Sequence, residues 1–583
     1  MGVPGFFAWL LKNYKNSNII KTNIKYNVDI LYLDANCLFH PQCFKVLEHF
    51  KNWKDREKLE EKMMKRIINY IDYLLNTVDP KKELFISVDG VAPMAKMNQQ
   101  RKRRFRSIDD NILKDKIKRK HGINVNENWS NTVITPGTEF MEKLNNKILR
   151  YINERKNEIN IVYSSYHTPG EGEHKILQDI KNKPKDNDET YIIYGLDADL
   201  IFLAMASNRK NIFLLREEQH LGKKKTNVKD DFFEYDVLRD VAEELNYVSI
   251  DRMKECINDK IIESINNKNN EMLVDIEFNN DFSNDFIFLC YFLGNDFIPH
   301  LPSIDIRTGG LDYIFNCYID TYILLGENII SFNNEKVKIN NIFVEMLLNN
   351  MSKSENYYFK KILPSYKERL SKWKCEYDDP YEKELWNLDK MRYFKIKDPI
   401  KLGEDNEENY KFRYYEHYFG LCENQEEFIK QMCEEFLRGI MWVTKYYFEE
   451  CPSWEWQNPY SHSPFISDIA KYFTSSNYNL NSIKIDYKGP IQPFEQLLSV
   501  LPPACDTILP LSYKFLVNSH LSPIIDLYPV NIKLDMINKD SYWKCIPYIP
   551  HVELSRIKNA VNGLHLNEKE TYRNKLLSNY INT

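Results

Sequence analysis

No two cysteines in the 583-residue sequence stand at the spacing of a zinc-ligand pair, and the total of 11 is odd. A disulfide framework and a structural zinc are therefore disfavoured, and a reducing compartment is implied. Long apolar runs are also missing. The longest, FIFLCYFL at 286–293, falls well short of the roughly 20 residues that cross a bilayer. No charged-then-apolar leader opens the sequence, and Phe6 stands where a myristoylation signal needs Ser or Thr, so neither secretion nor a membrane site is expected. Positive charge is not in excess either. The formal net charge of −5 argues against indiscriminate coating of nucleic acid, although a local basic tract can still bind it. No internal repeat or long low-complexity tail is visible. Aromatic residues, by contrast, are plentiful. With 38 Tyr, 32 Phe and 9 Trp and a hydrophobic content of 43%, the chain can build a core for two closely packed domains.

Three short apolar runs each stop at an acid: VDILYLD at Asp34, ELFISVD at Asp89, and TYIIYGLDAD at Asp197 and Asp199. Such runs read as strands buried on both faces. INIVYSSYH adds a fourth, and helical stretches such as REKLEEKMMKRIINYIDYLLNTV lie between them. The alternation predicts an α/β fold with a mostly parallel, twisted sheet flanked by helices. Ligands in such sheets gather beyond the carboxyl ends of the strands, where these acids fall. TPGEGEHKIL places Glu171 and Glu173 at a helix start, and LGND places Asp296 just past an apolar helix. The polar stretch from about 266 to 284 reads as a loop. Beyond about residue 330 the pattern changes to aromatic-rich helices, which predicts domains at 1–325 and 326–583, the second mainly helical and packed on the first.

A lone Asp at a strand end is more often a helix cap or turn former than a catalytic group. Seven together are different. If the topology draws Asp34, Asp89, Glu171, Glu173, Asp197, Asp199 and Asp296 to one pocket, their repulsion must be relieved by protons or cations. Oxygen-only donors select Mg²⁺ or Mn²⁺. Two such ions about 3.5–4 Å apart are suited to in-line displacement at a phosphodiester. The stretch VDGVAPMAKMNQQRKRRFR then follows Asp89, and from Lys96 to Lys120 there are eleven Lys or Arg against three acids. Most basic runs are solvated helix faces. Here, however, Lys96, Gln100, Arg103 and Arg104 share one helical stripe. That stripe makes a fork for a terminal phosphate one loop away from the acids.

The motifs MGVPGFFAWL, LYLDANCLFH, VDGVAPMAKMNQQRKRRFR, PGEGEHKI, YGLDADLIFLA and LGNDFIPHLP closely resemble the XRN family of 5′→3′ exoribonucleases. The resemblance runs on through DPIKLGE, PSWEWQNPY, PFEQLLSVLPP and SPIIDLYP, covering nearly the whole chain. It implies a 5′-nuclease core of PIN-like type. It also implies processive hydrolysis of single-stranded RNA bearing a 5′-monophosphate, releasing 5′-mononucleotides in RNA and mRNA degradation. The seven acids match the family's metal ligands, and Lys96, Gln100, Arg103 and Arg104 match its 5′-phosphate pocket. His40 matches a base-stacking residue, and Trp454 or Trp456 is the candidate to complete the stack. Met94 stands where relatives often carry a basic residue. The resemblance ends soon after the second characteristic region, as expected of a compact catalytic core. A cytoplasmic monomer is expected, with no docking signal for a protein partner. Two alternatives remain open at this point: a flap-type nuclease acting on branched DNA, and a catalytically retired RNA-binding scaffold.

Overall fold

The apolar runs that end in acids lie side by side in a single sheet. The computed structural model describes residues 5–14, 17–24, 27–50, 55–125, 129–184, 188–195, 197, 199–217, 238, 241–269, 281–421, 425–577 and 581–582. The sheet strands are β1 (Ile20–Lys21), β2 (Ile30–Asp34), β3 (Glu83–Ser87), β4 (Asn160–Ser164), β5 (Tyr191–Tyr194), β6 (Ile212–Glu217) and β7 (Leu245–Ser249). Two short hairpins, β8–β9 (Ile330–Asn333 and Lys336–Ile339) and β10–β11 (Lys533–Asp535 and Ile546–Tyr548), stand apart from it. A last strand, β12 (Ile581–Asn582), returns to the sheet and pairs antiparallel with β4. The order is β1-β7-β6-β5-β2-β3-β4-β12, with β6, β5, β2, β3 and β4 parallel. Strand β2 is buried along its whole length, as an apolar run covered by helices on both faces requires.

Strand β2 sits between β3 and β5, pairing Asp34 with Ser87 on one side and Leu33 with Tyr194 on the other. The chain passes outward from β2 to β3 and β4 in one direction, then returns to β5 in the other. A reversal of this kind opens a crevice at the strands' carboxyl ends. The helices that frame it are α1 (Phe6–Asn13), α2 (Ala35–His49), α3 (Arg56–Val78), α4 (Met94–Lys120), α5 (Glu139–Arg155), α6 (Gly172–Asn182) and α7 (Asp199–Ala206).

The later region is mainly helical, as its sequence pattern predicts, and it shares cores with the sheet region. Met94, Met97 and Phe105 of α4 pack with Phe494, Leu497, Leu498 and Tyr528. Phe286 and Phe288 share a core with Trp442 and Ile469. The stretch read as a loop begins inside a helix, Ile250–Asn269, and residues 270–280 lie outside the described residues. No described helix is long and apolar enough to cross a membrane, and the ten described cysteines are free thiols.

Candidate active site

The acids reach the crevice because they stand at the ends of the elements that carry them. Asp34 ends β2 and stands at the N-cap position of α2, yet makes no capping bond; its carboxylate instead accepts from the Cys37 thiol at 2.9 Å. Glu171 holds the same position on α6, also without capping it. Asp89 follows β3 by two residues, and its Oδ1 accepts from the Gly172 N–H at 2.6 Å. A Cβ at position 172 would lie 2.7 Å from Asp34 Oδ1 and 3.3 Å from Asp89 Oδ1. Only glycine lets α6 start between two carboxylates, which explains the G of EGE. Asp199 opens α7. Asp296 follows Gly294, whose φ of +84° turns the chain after the helix Ser283–Tyr291.

Lys96 lies among these acids. Its ammonium is 2.6 Å from Glu171 Oε2 and 2.9 Å from Asp296 Oδ2, and Tyr446 donates to Glu171 Oε1 at 2.8 Å. Burial disfavours the Lys96 charge, but Asp296 and Glu171 overcome it and hold the pKa well above the ordinary lysine value. Asp296 shows the converse: burial would raise it, and Lys96 holds it well below the usual carboxylate range. At four other acids burial outweighs the opposing groups nearby. Burial, reinforced by Asp89, lifts Asp34 well above that range. Asp89 is pushed up to about 6 by burial, against the opposing Gly172 N–H. Asp199 is also pushed up to about 6, by burial and then by Asp296, and burial raises Glu173 strongly. Asp197 adds to the negative potential at Asp34 and Glu173. Crowded carboxylates of this kind bind protons or cations.

Among the described residues no three His, Cys, Asp or Glu side chains converge closely enough to hold an ion as they stand; Glu171 and Asp296 are turned onto Lys96. The donor chemistry nonetheless suits a hard divalent cation. Every candidate donor is a carboxylate oxygen, and Glu173 Oε2 and Asp199 Oδ1 are buried without a hydrogen-bond partner.

The phosphate stripe divides. His40, Asp89, Gln100, Arg103, Arg104 and Glu171 line one cleft of about 410 Å³, while Lys96 faces the acids instead. Arg104 donates to Thr135 Oγ1 at 2.8 Å through one guanidinium nitrogen; its Nη1 and the Gln100 Oε1 are buried without partners. Burial, aided by Arg103 and Arg104, lowers the His40 pKa to about 4, so its ring is neutral at pH 7. Neither tryptophan lines this cleft. Trp456 stacks on the buried Trp442, with centroids 5.3 Å apart at 24°, and packs against Gly439. Trp454 lies beside Gly170, and its carbonyl accepts from the Met94 N–H at 2.8 Å, next to the loop that carries Glu171.

Sequence reasoning missed Lys175, four residues after Glu171 in the quoted PGEGEHKI. Its ammonium bonds the Val88 and Ser165 carbonyls at 2.7 and 3.0 Å, tying α6 to the loop that carries Asp89. Burial pushes its pKa down to about 7. Tyr446 was missed too, because a tyrosine in a remote apolar helix gives no sign of which acid it will meet.

A model of the XRN 5′–3′ exonuclease N-terminus matches residues 1–218, and a model of the Xrn1 helical domain matches residues 275–384 and 364–582. The chain belongs to the XRN family. It is 31% identical to human 5′-3′ exoribonuclease 1, over 99% of this chain and 35% of the human protein. The fission-yeast (Schizosaccharomyces pombe) 5′-3′ exoribonuclease 1 is 30% identical, over 98% of this chain and 49% of its own length. The Drosophila melanogaster 5′-3′ exoribonuclease 2 homolog is 28% identical over the whole of this chain, which spans 73% of that relative. The XRN chain thus covers about a third of the human relative, half of the yeast one and three quarters of the fly one.

Proposed function

We propose that the protein is a 5′→3′ exoribonuclease that hydrolyses single-stranded RNA from a 5′-monophosphate end and releases mononucleotides. The names of the relatives support the class. The observation that carries the finer reading is the cleft in which Gln100, Arg103 and Arg104 face Asp89 and Glu171. Arg104, with an unpartnered buried nitrogen, and the exposed Arg103 bind the terminal phosphate, and Gln100 adds a neutral partner. His40, held neutral, offers a ring on which a terminal base stacks without sequence selection, and Trp454 is the candidate for its opposite face. Lys96 positions Glu171 and Asp296. Asp34, Asp89, Glu171, Glu173, Asp197, Asp199 and Asp296 supply the oxygens that would hold one or two Mg²⁺ or Mn²⁺ ions. When bound, such ions supply an activated water and neutralise charge at the scissile phosphate.

A degradation assay with and without Mg²⁺ tests this reading, comparing RNA with 5′-monophosphate, triphosphate, hydroxyl and capped ends, and a DNA flap. Mg²⁺-dependent release of mononucleotides from the monophosphate RNA alone is expected. Equal decay of hydroxyl-ended RNA, or preferential cutting of the flap, overturns it.

A further inference from the structure

On another face of α4 lies a second cavity, of about 220 Å³, lined by Gln99, Lys102, Arg103, Arg106, Asn295 and Lys544 among others. Four cations border it, of which Lys544 pairs with Asp540 at 2.7 Å, and the one carboxylate on its wall, Asp296, is paired with Lys96 at 2.9 Å. Lys102 makes no hydrogen bond or ion pair among the described residues, and burial alone pushes its pKa down to about 8. Arg106 donates one long bond, 3.4 Å, to the Cys545 carbonyl. Two neutral groups on the wall, Gln99 Oε1 and Asn295 Nδ2, are buried with no partner. A half-buried lysine without a partner beside two orphaned polar atoms is costly unless a ligand satisfies them.

Two neighbours define that ligand. Arg103 lines both this chamber and the phosphate cleft, so one guanidinium borders both spaces. Arg106, His300, Lys544 and Ile546 are walls shared with a larger cavity of about 790 Å³, lined also by Tyr366, Tyr414, Tyr418 and Trp543 and by the carboxylates of Asp305, Asp398 and Asp540. The small chamber suits a phosphate, and the aromatic cavity beyond suits a base and sugar.

We infer that the chamber binds the phosphate of a free nucleoside 5′-monophosphate whose nucleoside lies in the aromatic cavity. The inference rests on the exonuclease reading, which makes such a nucleotide the product; Arg103 is then the group that both phosphate positions share. The chamber is a station for product after it leaves the cleft.

Binding of AMP to the full chain in EDTA, followed by calorimetry and by ³¹P NMR, tests it. Two molecules are expected to bind the wild type, and one each to Arg104→Ala and Lys102→Ala. In the double variant both events should weaken at least tenfold. Lys102→Arg should restore the lost event, and an unchanged thermal midpoint shows that the variants fold. Two molecules still bound to Lys102→Ala overturn the proposal. So does inorganic phosphate matching AMP in Arg104→Ala, which would show an anion site only. Displacement of AMP from Arg104→Ala by a 5′-hydroxyl oligoribonucleotide also overturns it, since the occupant would then be RNA backbone. Failure here is separable from failure of the exonuclease reading. The latter shows as unchanged 5′-end preference in Arg104→Ala, whatever Lys102→Ala does.

Discussion

Asp34 and Glu171 each stand where a residue normally caps a helix, and neither does so. Asp34 instead accepts from the Cys37 thiol and Glu171 from Lys96 and Tyr446, placements that do not serve the helix ends. Asp199→Ala removes a buried oxygen that has no other partner. Turnover is expected to fall by at least about a hundredfold, with RNA affinity within a few-fold of wild type; a single-turnover assay paired with a filter-binding curve checks both. The tryptophans separate by the same logic. Trp456 rests on Trp442 in the core, so Trp456→Ala should cost about 3 kcal/mol of stability in a denaturant titration. Trp454 also packs against that core, so Trp454→Ala should lower stability too, and it is the one of the two expected to weaken affinity for RNA. The positions of the acids at strand and helix ends were legible, because Asp34 and Asp89 end apolar runs and Asp296 follows one. The choice between the tryptophans was not, since two aromatics two residues apart look alike until their neighbours are known.

Helix α4 shows how one basic run serves several surfaces. Gln100, Arg103 and Arg104 face the cleft, while Lys102 and Arg106 border the second chamber. Arg101 is buried against the later region: its guanidinium bonds the Ser499 carbonyl at 3.1 Å and that of Leu527, and lies 4.5 Å from the Phe105 ring. Arg104→Ala should therefore abolish discrimination between 5′-phosphate and 5′-hydroxyl RNA without unfolding the protein. Arg101→Ala should lower stability by about 2–3 kcal/mol, through stranded carbonyls and lost packing, and leave that discrimination intact. Parallel decay assays and melts on the two variants distinguish them. The stripe 96, 100, 103, 104 was visible as helical spacing, but periodicity does not say which element packs on which side. For that reason the sequence placed Lys96 with the phosphate fork, whereas its ammonium sits among the acids.

Across the whole molecule the sheet and the helical region are one packing unit, joined by shared cores and by β12 on the edge of β4. The parallel sheet was legible from its apolar runs. The hairpins and β12 were not, because strands of two to four residues carry too little pattern to separate from loops. His462 belongs to this inter-element packing. It stacks on Tyr418 at 3.7 Å and meets Asp535 Oδ2 at 3.2 Å. Burial outweighs Asp535 and lowers its pKa from 6.5 to about 4. The unfolded chain therefore takes up the proton first, and the stability linked to this group is lost as pH falls through that window. Between about pH 6.5 and 4 the wild type should lose about 1.4 kcal/mol per pH unit relative to His462→Gln. Urea titrations of both proteins across that range measure the difference, in which titrating groups remote from His462 cancel and Asp535, its partner, does not.

Because the ammonium of Lys96 already bridges Glu171 and Asp296, these two carboxylates need no divalent ion to stay together. The pair is held with or without an ion, and on the proposed two-ion reading chelation stops cutting while the fold persists. On that reading folding does not wait for the ions, because a lysine shared by both carboxylates already holds them.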